Sequence, residues 1–498
     1  MSDSTIKCNA GLISGAFTDG IHYFYGIPYA EPITLETQWN NPDPMHKELN
    51  FQALNRGCSA PQTIYKKSFF HDPSLPEESI NCLSLNIASK DLKAKMPVMV
   101  WIHGGAYITG SANSALYNLS SIPMHDVVLV SINYRLGPFG FLKLDEITNG
   151  QISSSGNEGL KDQRLAIEWI KDNIQEFGGD PDNITLFGES AGAWSVALQS
   201  AISPKGELFS KAICQSGGMN AYFNKDRANE WGELFIKTSQ DNGYEINDLK
   251  SLSHKEIIKL STKMRHTMIA NGKWLAPEVG FAPVADGVFL PEDPLANFKD
   301  SNIKLVIGTT SDEYRLWSEF EEYYLNLTKE DFTRRLKKMF IEENIKEIAS
   351  YYLNENLHLD KYKHAMSDLM TDWTFGIHTM ELLELHGDKS YGYMFNESSP
   401  LLDGRLGAYH SSELPYVFGS WKKKDFRAWC SKEAEKISNI FQVSWTQFAK
   451  TGSPSSDLFD WPRYNQDKTI AYIDSKIKLK TYNNLQRIKL LNESKIIY

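Results

Sequence analysis

The sequence predicts an α/β fold in which a large, mostly parallel central sheet carries helices on both faces. Two continuous apolar runs rich in β-branched residues, "MPVMVWI" (96–102) and "DVVLVSI" (126–132), have the composition of strands buried on both faces. Three further runs of this kind follow: "NITLFG", "KAICQSG" and "NIKLVIG". Helix-like stretches separate the runs, and strands that alternate with helices are typical of a parallel sheet.

The clearest predicted helix lies in "NEGLKDQRLAIEWIKDNIQEFGG", residues 157–179. Its apolar side chains recur at helical spacing and fall on one face: Leu165, Trp169, Ile170, Ile174 and Phe177. The glycine pair at 178–179 predicts the end of the helix, because glycine readily adopts the conformation that closes a last turn.

The region from about residue 220 to 390 is more helical in pattern and more charged. No glycine- or proline-rich linker, internal repeat or low-complexity tract separates it from the rest of the chain. We therefore expect helical elaborations over the carboxyl edge of the sheet, where a functional site of such a fold would lie. A chain of this length could hold two or three domains, but we predict a single domain spanning residues 1–498.

Composition and charge exclude several classes of function. The chain is 41% hydrophobic and 12% aromatic, as expected for a globular protein with an ample core. Its net charge of −10 argues against a nucleic-acid or anionic-membrane surface. No apolar run approaches the roughly 20 residues that span a bilayer. We expect no nucleic-acid partner and no membrane association, and the sequence does not fix the oligomeric state.

The amino terminus and the cysteines predict a cytoplasmic protein. "MSDSTIKCNAGLISG" lacks a basic start followed by an apolar stretch, so it does not look like a signal peptide. The cysteines are few and odd in number, which favours reduced thiols: Cys8, Cys58, Cys82, Cys214 and Cys430. Neither H-E-x-x-H nor paired C-x-x-C occurs, so we expect no metal site and no cofactor.

The stretch "LFGESAGAWSV" (186–196) places Ser190 between Gly188 and Gly192. The apolar run before this serine predicts a strand, and the small-residue run after it predicts a helix. A tight strand-to-helix turn projects a side chain into a cleft but crowds its neighbours, so small flanking residues are needed. We interpret Ser190 as a nucleophile that requires a base to accept its proton. A serine in a structural turn is the alternative.

A second small-residue motif, "WIHGGAYITGS" (101–111), follows a predicted strand. Small residues allow backbone N–H groups to point into a cavity and bind the oxyanion that develops during acyl transfer. We expect the amides of Gly105 and Ala106 to do so, together with the Ala191 amide at the start of the helix after the nucleophile. The alternative is a glycine-rich loop after a strand that has no catalytic role. The motif alone does not distinguish between these two interpretations.

These motifs resemble those of the type-B carboxylesterases, the α/β-hydrolase family that includes bacterial para-nitrobenzyl esterases, animal carboxylesterases and cholinesterases. The resemblance covers nearly the whole chain and rests on ordered motifs, among them "FYGIPYA" (24–30), "CLSLNI" (82–87), "INYRLGPFGFL" (132–142), "NEGLKDQ" (157–163), "FGGDPDNITLFGESAG" (177–192), "IGTTSDEY" (307–314) and "GAYHSSELPYVFG" (407–419). The Gly-Gly-Ala at 104–106 is similar to that of the bacterial para-nitrobenzyl branch. The resemblance implies the α/β-hydrolase fold and a serine carboxylesterase that hydrolyses a small-molecule ester through an acyl-enzyme on Ser190.

The resemblance also implies the acid and the base of a catalytic triad. In "IGTTSDEY" the family pattern assigns the acid to Glu313, with Asp312 beside it as the rival. In "GAYHSSELPYVFG" it assigns the base to His410. The chain order of Ser190, Glu313 and His410 is that of α/β-hydrolases. His103 belongs to the oxyanion motif and is expected to transfer no proton.

The sequence departs from the family pattern in two places. An arginine and a glutamate that form an ion pair in the family are replaced within Thr37-Gln38-Trp39 and Ser79-Ile80-Asn81. Because both partners are absent together, we expect the fold to survive with different local packing. Cys58 and Cys82 fall where exported relatives have a disulfide, and whether they bridge here is open. The residues between them include no tryptophan, which cholinesterases use to hold a quaternary ammonium, although Phe69 and Phe70 could line an apolar pocket.

One alternative comes from the same fold. Some type-B proteins are non-catalytic adhesion proteins that have lost the nucleophile. Ser190, Glu313 and His410 are all present here, so the resemblance favours an enzyme.

Overall fold

Strands and helices alternate along the part of the chain that the computed structural model describes, which is residues 2–63, 72–270, 280–355, 360–457, 459–465, 467–482 and 485–495. The strands are β1 Ser2–Cys8, β2 Gly11–Thr18, β3 Ile21–Pro28, β4 Leu49–Gln52, β5 Ser84–Ser89, β6 Met96–Ile102, β7 Val128–Ile132, β8 Gly179–Glu189, β9 Lys211–Gln215, β10 Lys304–Thr310, β11 Ser390–Phe395, β12 Thr469–Ile473 and β13 Ile477–Thr481.

The α-helices are α1 Gly137–Phe141, α2 Glu158–Asn173, α3 Ala191–Ile202, α4 Lys225–Gln240, α5 Ile246–Leu249, α6 His254–Ala270, α7 Pro294–Phe298, α8 Arg315–Ser318, α9 Glu322–Leu325, α10 Lys329–Met339, α11 Ile345–Glu355, α12 Lys361–Thr371, α13 Ile377–His386, α14 Leu414–Val417, α15 Lys424–Arg427, α16 Ala434–Thr451 and α17 Leu485–Ser494. Short 3₁₀ turns occupy Ile122–His125, Ile174–Phe177, Glu342–Asn344, Gly387–Lys389, Leu401–Gly404 and Ser420–Lys422. A π-helical turn, Asp372–Gly376, lies between α12 and α13.

The chain divides into two units. The first comprises residues 1–213, 219–304 and 449–452, and the second comprises residues 214–218, 305–448 and 453–498. The single domain predicted over residues 1–498 stays a prediction.

The first unit contains strands in the order β1-β2-β3-β5-β7-β6-β8, with β4 beside β2, and it includes the first three residues of β9. The pairs from β1 to β7 along this order are antiparallel, whereas β6 pairs with both β7 and β8 in parallel. Every residue of β5 and β7 is buried, as expected for strands covered on both faces. Along the first part of β2, buried residues alternate with more exposed ones, which is the pattern of an antiparallel strand with one face toward solvent.

The sequence located two elements of this unit closely. Strand β6 has the predicted bounds of residues 96–102. Helix α2 and the 3₁₀ turn after it end at Gly178, whose φ of 81° is left-handed, as the glycine pair predicts. The buried face of α2 includes Trp169 and Ile170.

The second unit contains β10, β11 and β12 in parallel, followed by β13, which is antiparallel to β12. All of β11 and all but the first residue of β10 are buried. The region from residue 220 to 390 forms helices α4 to α13, with β10 among them. Within the described residues no helix is both long and apolar enough to cross a bilayer.

Candidate active site

Ser190 lies on a single-residue turn between a strand and a helix. Strand β8 ends at Glu189, and helix α3 begins at Ala191. Ser190 has φ 56° and ψ −124°, a left-handed conformation that a side chain rarely adopts. Such strain costs on the order of 1–3 kcal/mol and persists only where the surroundings enforce it, which is typical of functional sites.

The flanking glycines are required by close packing. A Cβ atom on Gly192 would overlap the carbonyl oxygen of Ile102, the last residue of β6. A Cβ atom on Gly188 would lie 2.5 Å from the carbonyl carbon of Gly192. Helix α3 therefore starts directly against the end of β6, and only glycine leaves room for this approach.

The loop after β6 forms a concave turn of backbone amides. Gly105, Ala106 and Tyr107 have consecutive positive φ values of 111°, 53° and 60°. The N–H groups of Ile108 and Thr109 donate to the Gly105 carbonyl at 2.9 and 3.0 Å and close the turn. Within the described ranges, the amides of Gly105 and Ala106 have no hydrogen-bond acceptor. Successive free N–H groups in such a turn can bind an anion.

The loop and the serine turn lie against each other within the first unit. A Cβ atom on Gly104 would lie 3.1 Å from the Cβ of Ser190 and 2.6 Å from the carbonyl oxygen of Glu189. The first intrahelical bond of α3 runs from the Trp194 N–H to the Ser190 carbonyl at 2.9 Å. The Ala191 N–H, at the first helical position, therefore has no acceptor within the helix.

His103 supports this loop as a neutral side chain. Its Nδ1 donates to the Gly104 carbonyl at 2.8 Å, and its ring stacks on Tyr134 with centroids 4.5 Å apart. Complete burial lowers the pKa of His103 from 6.5 to about 4, because the charged form loses its hydration. At neutral pH this imidazole therefore holds no positive charge.

In the second unit, the structure brings Glu313 and His410 together. Nδ1 of His410 lies 2.6 Å from Oε2 of Glu313, and both side chains are buried. The Thr310 N–H donates to Oε1 of Glu313 at 2.8 Å, and the His410 N–H donates to the Glu313 carbonyl at 3.2 Å. A carboxylate that holds the Nδ1 proton leaves Nε2 available for proton exchange.

Two aromatic rings contact the imidazole of His410. The ring centroids of Trp317 and Phe375 lie 5.1 and 4.8 Å from it, with interplanar angles of 36° and 31°. The two rings also contact each other, with centroids 6.4 Å apart. Phe375 lies on the π-helical turn Asp372–Gly376, a type of irregularity that is frequent at functional sites. Sequence reasoning missed Phe375, because no local pattern distinguishes it from a core aromatic residue.

The predicted site residues thus fall into two groups. The first unit holds Ser190 next to the loop that carries Gly105 and Ala106, and the second unit holds the Glu313–His410 pair. The meeting of the two groups stays a prediction. Among the described residues, no cluster of three or more His, Cys, Asp or Glu side chains could hold a metal ion.

A buried ion pair links two of the motifs that carry the family resemblance. The guanidinium of Arg135 contacts Asp162 through Nη2 at 2.6 Å and Nε at 2.8 Å, with side chains that are 1% and 0% exposed. Arg135 also donates to the carbonyl oxygens of Gln38 at 3.2 Å and Asn40 at 2.7 Å. The segment around Thr37-Gln38-Trp39, where the family pattern has an arginine, is therefore held by hydrogen bonds to its backbone carbonyl groups. Sequence reasoning missed this pair.

Cys58 and Cys82, for which the sequence leaves a disulfide open, are both free thiols in the structure. Cys58 is partly exposed and Cys82 is buried, and burial raises the pKa of the Cys82 thiol. Phe69 and Phe70 lie outside the described residues.

The chain is similar over nearly its whole length to a described protein family and to solved structures. The family model described as "Carboxylesterase family" matches residues 2–490. A para-nitrobenzyl esterase of Bacillus subtilis (strain 168) is 31% identical, with 99% of this chain and 100% of that protein aligned. A phenmedipham hydrolase of Pseudarthrobacter oxydans is also 31% identical, with 92% of each covered. A solved structure described as a thermophilic PNB esterase superimposes with a TM-score of 0.85 at 29% identity, over 98% of this chain and 100% of that one. This similarity confirms the predicted α/β-hydrolase fold.

Proposed function

Because the chain belongs to the carboxylesterase family and hydrolyses carboxylic esters, we propose that Ser190 is its nucleophile, His410 its general base and Glu313 the acid that orients the base. The observation that carries the proposal is the 2.6 Å hydrogen bond between Glu313 and His410, buried three residues beyond the end of β10. No observation favours the non-catalytic alternative.

The first step is acylation of the serine. Nε2 of His410 accepts the proton of the Ser190 hydroxyl while Oγ attacks the ester carbonyl carbon. The protonated imidazole then gives this proton to the departing alkoxide, which leaves as the alcohol. Glu313 holds Nδ1–H throughout, fixes the ring and stabilises the imidazolium.

The second step frees the acid. A water molecule loses a proton to Nε2 of His410 and attacks the acyl-enzyme carbonyl, and the same proton returns to Oγ of Ser190. In both steps the amides of Gly105, Ala106 and Ala191 stabilise the negative oxygen of the tetrahedral intermediate. One such donor contributes about 3 kcal/mol to lowering the barrier.

The proposed substrate is a small-molecule carboxylic ester whose alcohol moiety carries no quaternary ammonium. The absence of tryptophan between Cys58 and Cys82 supports this choice, since an aromatic face is the usual partner of such a cation. Two of the relatives reported above are named para-nitrobenzyl esterase and phenmedipham hydrolase.

The test is a pre-steady-state assay with para-nitrophenyl butyrate. The wild-type protein should release a burst of para-nitrophenol equal to the enzyme concentration, and Ser190→Ala should abolish both burst and turnover. Ser200→Ala is the matched control, because this serine lies on the helix that follows Ser190 and its hydroxyl donates to the Val196 carbonyl at 2.7 Å. Mass spectrometry after treatment with an organophosphate should place the label on Ser190. Full activity of Ser190→Ala, or a label on another serine, would reject the proposal.

A further inference from the structure

Asp312, the rival of Glu313 in the sequence, is bonded to the loop that carries His410. The Asp312 N–H donates to the Ala408 carbonyl at 3.0 Å, and the Ala408 N–H donates to Oδ2 of Asp312 at 3.0 Å. Two residues further on, the His410 N–H donates to the Glu313 carbonyl at 3.2 Å. With the side-chain bond between Glu313 and His410, four hydrogen bonds therefore tie residues 312–313 to residues 408–410, and one of them depends on the Asp312 side chain.

The contact between the carboxylate and the loop is tight. Gly407 has a left-handed φ of 59°, and a Cβ atom on it would lie 2.5 Å from Oδ2 and 2.6 Å from Cγ of Asp312. The carboxylate occupies the space that a side chain at position 407 would need. The loop can keep this path only with glycine at 407 and a short acceptor at 312.

Both oxygens of the Asp312 carboxylate have further partners. Ser311 donates its hydroxyl to Oδ2 at 2.7 Å, and Nη2 of Arg315 contacts Oδ1 at 3.1 Å. Arg315 also donates through Nη1 to the Arg405 carbonyl at 3.3 Å. The ion pair is mostly shielded from solvent, with side chains 25% and 20% exposed. The carboxylate thus reaches the loop at Ala408 directly and at Arg405 through Arg315.

A second ionic contact holds the start of the same loop. The buried carboxylate of Glu319 accepts from Nζ of Lys363 at 2.7 Å and from Nη1 of Arg405 at 2.8 Å. Its side chain is 1% exposed, and both bonds are charge-assisted; the Lys363 side chain is 8% exposed, whereas the Arg405 side chain is 58% exposed. Residues 405–408 are therefore fixed at both ends, and His410 follows after one residue.

From these contacts we infer that Asp312 is a positioning residue that sets the orientation of the His410 imidazole by fixing residues 405–408. The inference rests on the proposed function, because it assigns the orientation a role only if His410 is the base. Without the Asp312 carboxylate the loop loses its bond at Ala408 and its tie through Arg315. A displacement of about 1 Å at a reacting group can lower the rate about 100-fold.

The experiment compares Asp312→Ala with Asp312→Asn, which keeps a carbonyl oxygen for the Ala408 amide. The matched control is Asp474→Ala, since Asp474 also accepts from a backbone amide, at Lys476, and pairs with a lysine, Lys478, at 2.8 Å. Three quantities are measured on each: kcat and KM for para-nitrophenyl butyrate, the thermal midpoint, and the downfield NMR resonance of the Nδ1 proton shared by His410 and Glu313.

Asp312→Ala should lower kcat by about 10- to 100-fold, leave KM within about two-fold, and shift or broaden the Nδ1 resonance. Asp312→Asn should recover most of kcat, and Asp474→Ala should match the wild type in kcat and in the resonance. If Asp312→Ala fails to fold, Asp312→Ser replaces it, because its hydroxyl carries no charge to pair with Arg315. An unchanged resonance and kcat in the folded variant, or a loss equal to that of Asp474→Ala, would overturn the inference.

Failure of the proposed function has a different signature. If His410→Ala and Glu313→Gln both keep wild-type kcat, the proposed base and acid are wrong whatever Asp312 does. If both are inactive while Asp312→Ala is unimpaired, the inference alone fails.

Discussion

Nδ1 of His410 lies 2.6 Å from Oε2 of Glu313, although 97 positions separate the two residues in the chain. Glu313→Gln should lower kcat by roughly 10³- to 10⁴-fold, because an amide can stabilise the wrong tautomer of the imidazole and cannot stabilise the imidazolium. KM should change little, since the loss occurs in the transition state. Steady-state kinetics with para-nitrophenyl butyrate measure the effect. A Glu384→Gln control, in an exposed ion pair with Lys468, should retain wild-type values.

The aromatic contacts of His410 predict a loss of catalytic rate when either ring is removed. Trp317 and Phe375 pack against the imidazole, so replacing either ring with leucine should leave the imidazole less firmly oriented and lower kcat by about 10-fold. Steady-state kinetics with para-nitrophenyl butyrate measure the effect. Phe441→Leu, a buried ring in contact with Trp445, is the control and should keep the wild-type kcat.

The close packing at Gly192 predicts a cost in stability. Gly192→Ala places a methyl group on the Ile102 carbonyl and should destabilise the protein by about 1–3 kcal/mol, with a loss of activity as Ser190 moves. Gly150→Ala is the comparison, because Gly150 has φ 77° and no neighbour within 4 Å, so it tests backbone strain without overlap. Urea unfolding measures both. Equal midpoints for Gly192→Ala and the wild type would show that α3 can move away from β6.

The depressed pKa of His103 predicts part of the acid sensitivity of the fold. The unfolded chain binds a proton at this residue below about pH 6.5, whereas the folded chain does so only below about pH 4. The contribution of His103 to the free energy of unfolding is fully present above pH 6.5 and decreases as the pH falls toward 4. The loss amounts to about 3 kcal/mol. His103→Asn should show a shallower fall in urea midpoint between pH 7 and pH 4 than the wild type, and parallel curves would contradict the assignment.

The Arg135–Asp162 pair predicts a large effect from one substitution. Asp162→Asn leaves the Arg135 charge buried without its counterion, which should cost roughly 3–5 kcal/mol. Asp182→Asn breaks an exposed pair with Lys171 in the same unit and should leave the unfolding midpoint nearly unchanged. Urea unfolding of the two variants at pH 7 gives the comparison. Similar unfolding midpoints for the two variants would mean that the hydrogen bonds to the carbonyls of Gln38 and Asn40 stabilise the buried Arg135 charge without Asp162.

Sequence reasoning predicted those features that depend on local pattern. The apolar run at 96–102 becomes β6 without any change of bounds, and the glycine pair after α2 ends the helix as expected. The strand, serine and helix around Ser190 follow directly from the order of apolar and small residues. The α/β-hydrolase fold is likewise confirmed by the similarity to solved esterase structures.

Contacts between distant segments could not be predicted from local pattern. Phe375 contacts His410 from a π-helical turn, and no single-sequence signal marks such a turn. Asp312 and Glu313 are adjacent carboxylates of the same sequence motif. Only the fold shows that the first accepts from Ala408 whereas the second accepts from His410. The pairing of Arg135 with Asp162 depends in the same way on tertiary packing.

The two units are interleaved along the polypeptide. The covalent path passes from one to the other after residues 213, 218, 304, 448 and 452. Neither unit therefore corresponds to one uninterrupted gene segment, and a single cut or an early stop codon cannot release either of them whole. A shortened gene product that ends before residue 449 would lack pieces of both units at once.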